Sequence, residues 1–263
     1  MTPRQKGAGN GITETVLASP RGTRPVLVCG LPGSGYVGKL AADHLVDTFG
    51  GKLVAQYTCD SFPPQVNVKE DGIAEPLRAR LFFAQTKRRR SLFIFTADAQ
   101  PTTSEGEYEL ADAVVTRARR CGVKTVYTLA AYITGAFSAE QRVFGAATSK
   151  KMLETVSAKG ATLMKGGGIS GMNGILIGMA ALRGLDGVCL LGETSGYLVD
   201  AGASKAVLEM LAKLVDLPID TAKLKEKAEE TKKVISQLQG MAEQARESAG
   251  QQPRREPRPE YIG

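Results

Sequence analysis

The sequence predicts an α/β fold, a three-layer α/β/α sandwich built around a mixed, largely parallel sheet. Two observations lead to this prediction. Apolar strand-like segments alternate with helix-like segments from about residue 25 to residue 217, which is the pattern of a sheet covered by helices on both faces. Two of the strand-like segments, "PLRARLFFAQ" and "SLFIFTAD", are joined by the short basic turn "KRRR", which predicts one antiparallel hairpin.

The composition divides the chain into four parts. Its 263 residues are 43% hydrophobic and 23% charged, which is ordinary for a globular protein. We expect an N-terminal segment over residues 1–24, the α/β/α domain over 25–217, a long C-terminal helix over 218–248 and a flexible tail over 249–263.

The first half of the domain contains four strand-like segments and two helices. "PVLVCGL" leads into a helix from about Tyr36 to Phe49, and "KLVAQYTC" is a strand that precedes the hairpin. A second helix runs from Ser104 to about Cys121. Ser104 and Glu107 have the spacing of a capping box, in which each side chain satisfies a backbone amide of the other residue.

The second half repeats the alternation. The continuous apolar run "KTVYTLAAY" is typical of a strand buried on both faces. The helix "SKKMLETVSAKG", the glycine-rich loop "KGGGISGMNG" and the small-residue helix "ILIGMAALRG" follow it. The strand "GVCLLGE" and the helix "GASKAVLEMLAKLVD" complete the domain.

The segment after Pro218 reads as one long charged helix. Its apolar and small residues follow 4-3-4-3 spacing, which is typical of a coiled-coil seam: Leu224, Ala228, Thr231, Ile235, Leu238, Ala242 and Ala245. An amphipathic helix lying on its own domain has the same pattern. Beyond it, three prolines and a polar composition predict a disordered tail.

Charge and hydropathy exclude several kinds of partner. The formal net charge is +7, but neither "KRRR" nor "PRREPRP" has the length or the interleaved aromatics of a nucleic-acid surface. Arg183 and Asp186 interrupt the longest apolar stretch, and the N-terminal residues lack the apolar core of a signal peptide. We therefore expect a cytoplasmic protein without nucleic-acid or membrane partners.

The stretch "GLPGSGYVGKL" contains parts of two nucleotide-binding motifs. Gly33, Gly35 and Gly38 form G-x-G-x-x-G between a strand and a helix, the context of a dinucleotide fingerprint. Gly33, Gly38 and Lys39 form most of a P-loop. One hypothesis is therefore a nucleotide-binding α/β enzyme that uses the loop from Gly33 to Lys39, with help from the loop from Gly166 to Gly174.

Both motifs are incomplete. Leu40 stands where a Ser or Thr hydroxyl would bind magnesium, and the nearest acid for a ribose, Asp60, comes late in the sequence. The same glycines suit a tight strand-to-helix turn without a ligand. The second loop, "KGGGISGMNG", fits either an anion bound by backbone amides or a contact with another subunit.

A set of catalytic groups is missing from the sequence. The single histidine, His44, lies in a predicted helix without a nucleophile motif nearby, so we interpret it as a surface residue. The four cysteines are widely spaced and no cluster has metal-ligand spacing. We expect no catalytic residue, no metal and no cofactor.

Five segments together resemble the archaeal, PbaB-like homologues of the eukaryotic proteasome assembly chaperones. They are "PVLVCGLPGSGYVGKLAADHL", "ADAQP", "RVFGAAT", "KGGGISGMNGILIGMA" and "LLGETSGYLVDAGASKAVLEML". The resemblance implies a phosphorylase/hydrolase-like α/β/α fold, a homo-oligomer such as a tetramer, and no nucleotide chemistry. It favours the strand-to-helix turn over nucleotide binding.

The resemblance also implies a function. Such proteins are ATP-independent assembly chaperones or activators of the proteasome, and flexible C-terminal extensions contact the α subunits of the core particle. Activators of this kind end in an apolar residue, tyrosine and any residue. This chain ends in Tyr261, Ile262 and Gly263, with the tyrosine displaced by one position. These three residues are the expected proteasome-binding site, and the other interpretation is an inert tail.

Overall fold

We describe a computed structural model of the protein. It describes residues 4–7, 11–87, 90–135, 141–231 and 233, with the backbone alone for 4–7.

A ten-stranded mixed sheet forms the centre of the fold, in the order β1-β2-β4-β7-β8-β3-β9-β12-β10-β11. The four central strands β8, β3, β9 and β12 run parallel, while β1, β2, β4, β7 and β8 form an antiparallel meander and β10 is antiparallel to β12. The strands of this sheet are β1 (Arg4–Gly7), β2 (Ile12–Val16), β3 (Val26–Gly30), β4 (Lys52–Cys59), β7 (Ala79–Gln85), β8 (Ser91–Ala97), β9 (Thr125–Ile133), β10 (Val143–Ala147), β11 (Thr162–Leu163) and β12 (Asp186–Thr194).

The antiparallel pairing of β7 with β8 confirms the predicted hairpin around the basic turn. Six strands were not expected from the sequence: β1, β2, β10, β11 and the two strands of a separate hairpin, β5 (Val66–Val68) and β6 (Ala74–Pro76). They are short, and the residues of β5 and β6 are mostly exposed, so their sequences lack a strong alternation of apolar and polar residues.

In the described part of the α/β domain, five α-helices cover the two faces of the sheet. They are α1 (Val37–Phe49), α2 (Ser104–Arg120), α3 (Lys150–Ala158), α4 (Gly171–Leu182) and α5 (Ala201–Val215). Apolar residues of α1, α3 and α5 share one core cluster, and those of α2 and α4 share the other. Val28 of β3 faces the first cluster and Leu27 faces the second, because successive side chains of a strand point to opposite faces. The predicted three-layer sandwich is confirmed.

The start of α2 corrects the predicted capping box. The cap is Thr103, whose Oγ1 accepts a hydrogen bond from the amide of Gly106 at 3.2 Å. The hydroxyl of Thr103 also donates to the Oγ of Ser61 at 3.0 Å, so a tertiary contact holds this residue in extended backbone and the helix begins after it. The predicted cap residue, Ser104, is therefore wrong by one position. The side chain of Glu107 is not the partner of this cap.

The C-terminal helix lies on its own domain over its described part. Residues 222–231 are helical, and Leu224 and Ala228 are buried in the core cluster that contains α1 and α5. The first two positions of the proposed seam are thus covered by the same chain. The later positions, from Ile235 onward, and the predicted tail at 249–263 lie outside the described residues.

Candidate functional site

A cleft of about 510 Å³ opens at the carboxyl ends of the parallel strands. Gly33, from the turn between β3 and α1, and Gly38, in the first turn of α1, line the cleft. Gly168, from the loop before α4, and Gly171, the first residue of α4, line it as well. In open α/β sheets this edge is where ligands bind. The structure therefore brings the two glycine-rich loops of the sequence together.

Backbone conformation and close packing account for two of the glycines between β3 and α1. Gly35 has a φ of +61°, which favours glycine, and Tyr36 also adopts the left-handed conformation, with a φ of +52°. A β-carbon on Gly38 would lie 2.1 Å from the carbonyl oxygen of Leu129, so α1 can approach β9 only with glycine there. Gly33, by contrast, has extended backbone, and a side chain there would meet Gln100 at 3.8 Å.

Lys39 does not contact the cleft. Its Nζ forms an ion pair with Oδ1 of Asp43 at 2.7 Å, one helical turn further along the surface of α1. A P-loop lysine must reach the β- and γ-phosphates of the nucleotide, and this side chain points elsewhere. Of the four residues in the nucleotide hypothesis, Gly33 and Gly38 line the cleft, Gly35 shapes the turn and Lys39 is separate from it.

Gln100 joins the two loops at the cleft. Its Nε2 donates to the carbonyl of Pro32 at 2.5 Å, and its Oε1 accepts from the amide of Met172 at 3.2 Å. The side chain thus connects the β3–α1 turn to the first turn of α4. Sequence reasoning missed this residue, although "ADAQP" was among the segments that carried the resemblance.

Two of the residues that line the cleft carry a side-chain acceptor without a partner in the described chain. The carboxylate of Glu107 lines it from α2, and within the described residues this carboxylate has no hydrogen bond or ion pair. Partial burial raises the pKa of Glu107 above its usual range. The Oδ1 atom of Asn173, in the first turn of α4, is buried and has no hydrogen-bond partner in the described part of the chain.

Asp200 attaches the β12–α5 loop to the glycine turn. Its backbone amide donates to the carbonyl of Gly35 at 2.8 Å, and its Oδ2 accepts from Oγ1 of Thr194 at 2.7 Å. Its Oδ1 caps α5 by accepting from the amide of Ala203 at 2.8 Å. One carboxylate therefore sets the positions of α5, the end of β12 and the turn.

Apolar side chains are exposed beside the cleft, and we call them the rim patch. Tyr197 exposes 76% of its surface and Ile133 exposes 59%, while a β-carbon on Gly196 would touch Ile133. The patch consists of Tyr36, Ile133, Tyr197, Leu198 and Val199. Grouped apolar side chains on a surface mark an interaction site more often than single ones.

The remaining candidate residues have structural roles or lie outside the described chain. Nε2 of His44 forms a hydrogen bond with the carbonyl oxygen of Asp220 at 2.5 Å, which joins α1 to the segment before the C-terminal helix. All four cysteines are buried and free, and burial raises the pKa of Cys189 to about 12, so this thiol stays protonated. The expected tail site, Tyr261, Ile262 and Gly263, lies outside the described residues.

The described residues contain neither a metal-binding cluster nor a membrane-spanning helix. Among residues 11–87, 90–135 and 141–231, no group of three or more His, Cys, Asp or Glu side chains is placed to hold a metal ion. None of the helices in the described part of the chain is both long and apolar enough to cross a bilayer.

Comparison with proteins of known sequence and structure identifies the family. The sequence profile of the PAC2 family matches residues 27–239. The uncharacterized protein MJ1210 of Methanocaldococcus jannaschii is 36% identical over 239 residues, which are 90% of this chain and 92% of that protein.

Two solved structures from Pyrococcus furiosus have the same fold. PbaB, an archaeal proteasome activator, is 33% identical with a TM-score of 0.81 over 88% of this chain and 99% of that chain. PbaA, an archaeal homolog of proteasome-assembly chaperone, is 26% identical with a TM-score of 0.71 over 90% of this chain and 96% of that chain. The profile match and the identity to MJ1210 both span most of the sequence, and the chain belongs to the PAC2 family.

Proposed function

We propose that this protein is an ATP-independent homologue of the proteasome assembly chaperones, and that it activates the proteasome by docking on the α ring of the core particle. The observation that carries the proposal is the likeness to PbaB, at 33% identity and a TM-score of 0.81 over 99% of that chain. Fold alone does not establish function, so the proposal rests on this degree of identity together with the family match.

The cleft supports a function without ATP. A triphosphate is bound by cations and by free backbone amides. Lys39 pairs with Asp43 on the surface of α1, and none of the cleft-lining residues in the described chain is Lys, Arg or His. The competing hypothesis is a nucleotide-binding enzyme at Gly33–Lys39. Calorimetric titration with ATP, ADP, NAD and NADP tests it, and micromolar binding of any of the four would favour the enzyme.

The docking element in this proposal is the C-terminal tail. The fifteen residues of 249–263 reach at most about 50 Å when extended, which lets Tyr261 enter a pocket of the α ring while the body of the protein stays outside. The ring of Tyr261 and the side chain of Ile262 would supply apolar area. If the tail is flexible, as its composition predicts, ordering it on docking costs free energy, so we expect a single tail to bind weakly.

Several tails on one oligomer would compensate for that weakness by raising the effective concentration. We propose a homo-oligomer, with a tetramer expected from the resemblance, in the cytoplasm. The exposed rim patch supports self-association because a second copy would cover it. Light scattering at micromolar concentration measures the subunit number, and a monomer would contradict this part of the proposal.

The function itself is tested by adding the full chain to purified archaeal core particle and measuring peptide cleavage. We expect stimulation by the parent protein, and its loss after Tyr261→Ala or after removal of residues 261–263. Tyr108→Ala is the matched control, because Tyr108 is an exposed tyrosine of α2, with 55% of its surface accessible. Equal stimulation by the truncated chain would show that the body, and not the tail, contacts the core particle.

A further inference from the structure

We propose that the cleft at the carboxyl ends of β3, β9 and β12 binds a small organic cation, a protonated amine or guanidinium carried on a short apolar body. Tail docking on the proteasome does not use this cleft, so the proposal goes beyond the function proposed above. Its volume of about 510 Å³ is within the range of small-molecule sites, roughly 300–1,000 Å³.

Charge determines the class of ligand. The chain has 34 Lys and Arg residues and 27 Asp and Glu residues, yet in the described chain the charged residue that lines this cleft is an acid, Glu107. No Lys, Arg or His side chain from the described residues accompanies it there. A carboxylate in a partly desolvated site attracts a cation and repels an anion.

Asn173 supplies the second observation. Its Oδ1 is buried without a hydrogen-bond partner among the described residues, and Asn173 is one of the residues that line the cleft together with Glu107. Buried polar atoms are nearly always hydrogen-bonded in native proteins, so an unpartnered oxygen calls for a donor from outside the chain. An ammonium has three such donors and a guanidinium has five.

At each of the two helix N-termini beside the cleft, one backbone amide is already bound within the chain. Helix N-termini favour anions through their free amides. At α4 the amide of Met172 is already bound to Oε1 of Gln100, and at the glycine turn the amide of Tyr36 is bound to the carbonyl of Gly33 at 2.9 Å. The carboxylate of Glu107 and the Oδ1 of Asn173 are side-chain acceptors of cleft-lining residues that have no partner in the described chain.

The apolar side chains that line the cleft determine the uncharged part of the ligand. Ile133, Met164, Ile169 and Leu191 line it together with the polar groups. An aliphatic chain of a few carbons would contact these side chains while its amine reaches Glu107. We therefore choose n-hexylamine and agmatine as probes, with n-hexanoate and n-hexanol as the matched anionic and neutral compounds.

Calorimetry on the full chain measures the affinity for each probe. We expect both amines to bind with a Kd below about 1 mM and hexanoate not to bind up to about 10 mM. Glu107→Gln should weaken amine binding about tenfold or more, and Asn173→Ala about fivefold, because a charged or buried acceptor is lost. Glu105→Gln is the matched control, since Glu105 is exposed in the same first turn of α2 and loses the same charge.

A second measurement does not depend on any variant. With ¹³C-methyl methionine, hexylamine should shift the Met164 resonance in the cleft and leave Met210, in the core of the opposite face, unchanged. The proposal is overturned if neither amine binds, if hexanoate binds as well as hexylamine, if Glu105→Gln has the effect expected of Glu107→Gln, or if Met164 does not respond. None of these results bears on tail docking, which is measured with the core particle.

Discussion

Gly38 packs so closely against Leu129 that a β-carbon on the glycine would lie 2.1 Å from the carbonyl oxygen of Leu129. The first turn of α1 therefore rests on the backbone of β9. This close packing explains the third glycine of the G-x-G-x-x-G pattern without a nucleotide, and it distinguishes the glycines of the turn from one another.

Gly38→Ala should destabilise the protein, because the new methyl group overlaps a backbone atom that cannot rotate away. We expect a net loss of about 2 kcal/mol in the free energy of unfolding, after the better helix propensity of alanine is included. Gly33→Ala is the control, since its backbone is extended and it has room for a β-carbon. Urea denaturation measures both, and equal losses for the two variants would contradict the packing explanation.

Lys39→Ala should have little effect. The side chain forms an ion pair with Asp43 one turn away on α1, and such pairs contribute about 0.3–0.5 kcal/mol. We expect no ATP hydrolysis by the parent protein and unchanged stimulation of the core particle by the variant. An ATPase activity in the parent that disappears in Lys39→Ala would restore the nucleotide hypothesis.

The pair of Arg142 and Glu193 predicts a dependence of stability on pH. Glu193 is 4% exposed and accepts two hydrogen bonds at 2.9 Å from the guanidinium of Arg142, which hold the pKa of this carboxyl below its usual range. A lowered pKa stabilises the folded state above the unfolded pKa of about 4.3, and this contribution is lost as the pH falls through the folded value.

Glu193→Gln should therefore unfold more readily than the parent at pH 7, and the difference between the two proteins should shrink as the pH is lowered below about 4.3. Urea denaturation at a series of pH values measures this difference. At a pH of about 2.5 most carboxyl groups are protonated. If the difference in the free energy of unfolding stayed constant down to that pH, the ionised carboxylate of Glu193 would not be the source of the stability.

Leu224→Ala tests whether the C-terminal helix belongs to its own domain. Leu224 is 3% exposed and lies in the core cluster with residues of α1 and α5. Truncation of a buried leucine costs about 2–5 kcal/mol, so the variant should lose that stability without losing subunits. The exposed Lys227→Ala is the control. If Leu224→Ala instead dissociates the oligomer and leaves the free energy of unfolding unchanged, the seam is intermolecular.

The alternation of strands and helices was enough to predict the three layers, because each apolar run and each amphipathic helix has the period of its own secondary structure. It also predicted the β7–β8 hairpin and four of the five helices to within a few residues at each end, with α4 starting a few residues earlier, at Gly171. The start of α2 at Ser104 was also predicted, but its cap residue was not, because Thr103 is held by a contact with Ser61 that the local pattern of Ser104 and Glu107 does not contain.

Only the tertiary structure shows how the glycine motif packs. The same letters suit a nucleotide or a tight turn, and the choice depends on Leu129, which is far from Gly38 in sequence, and on the direction of Lys39. Gln100 lines the cleft and accepts a hydrogen bond from the amide of Met172, which is 72 residues away in the sequence. The spacing of apolar residues in the C-terminal helix likewise predicts that Leu224 packs against an apolar surface. It does not indicate whether that surface belongs to the same chain or to another copy. Local periodicity depends on neighbours along the chain, whereas a site depends on neighbours in space, and these are known only once the sheet has formed.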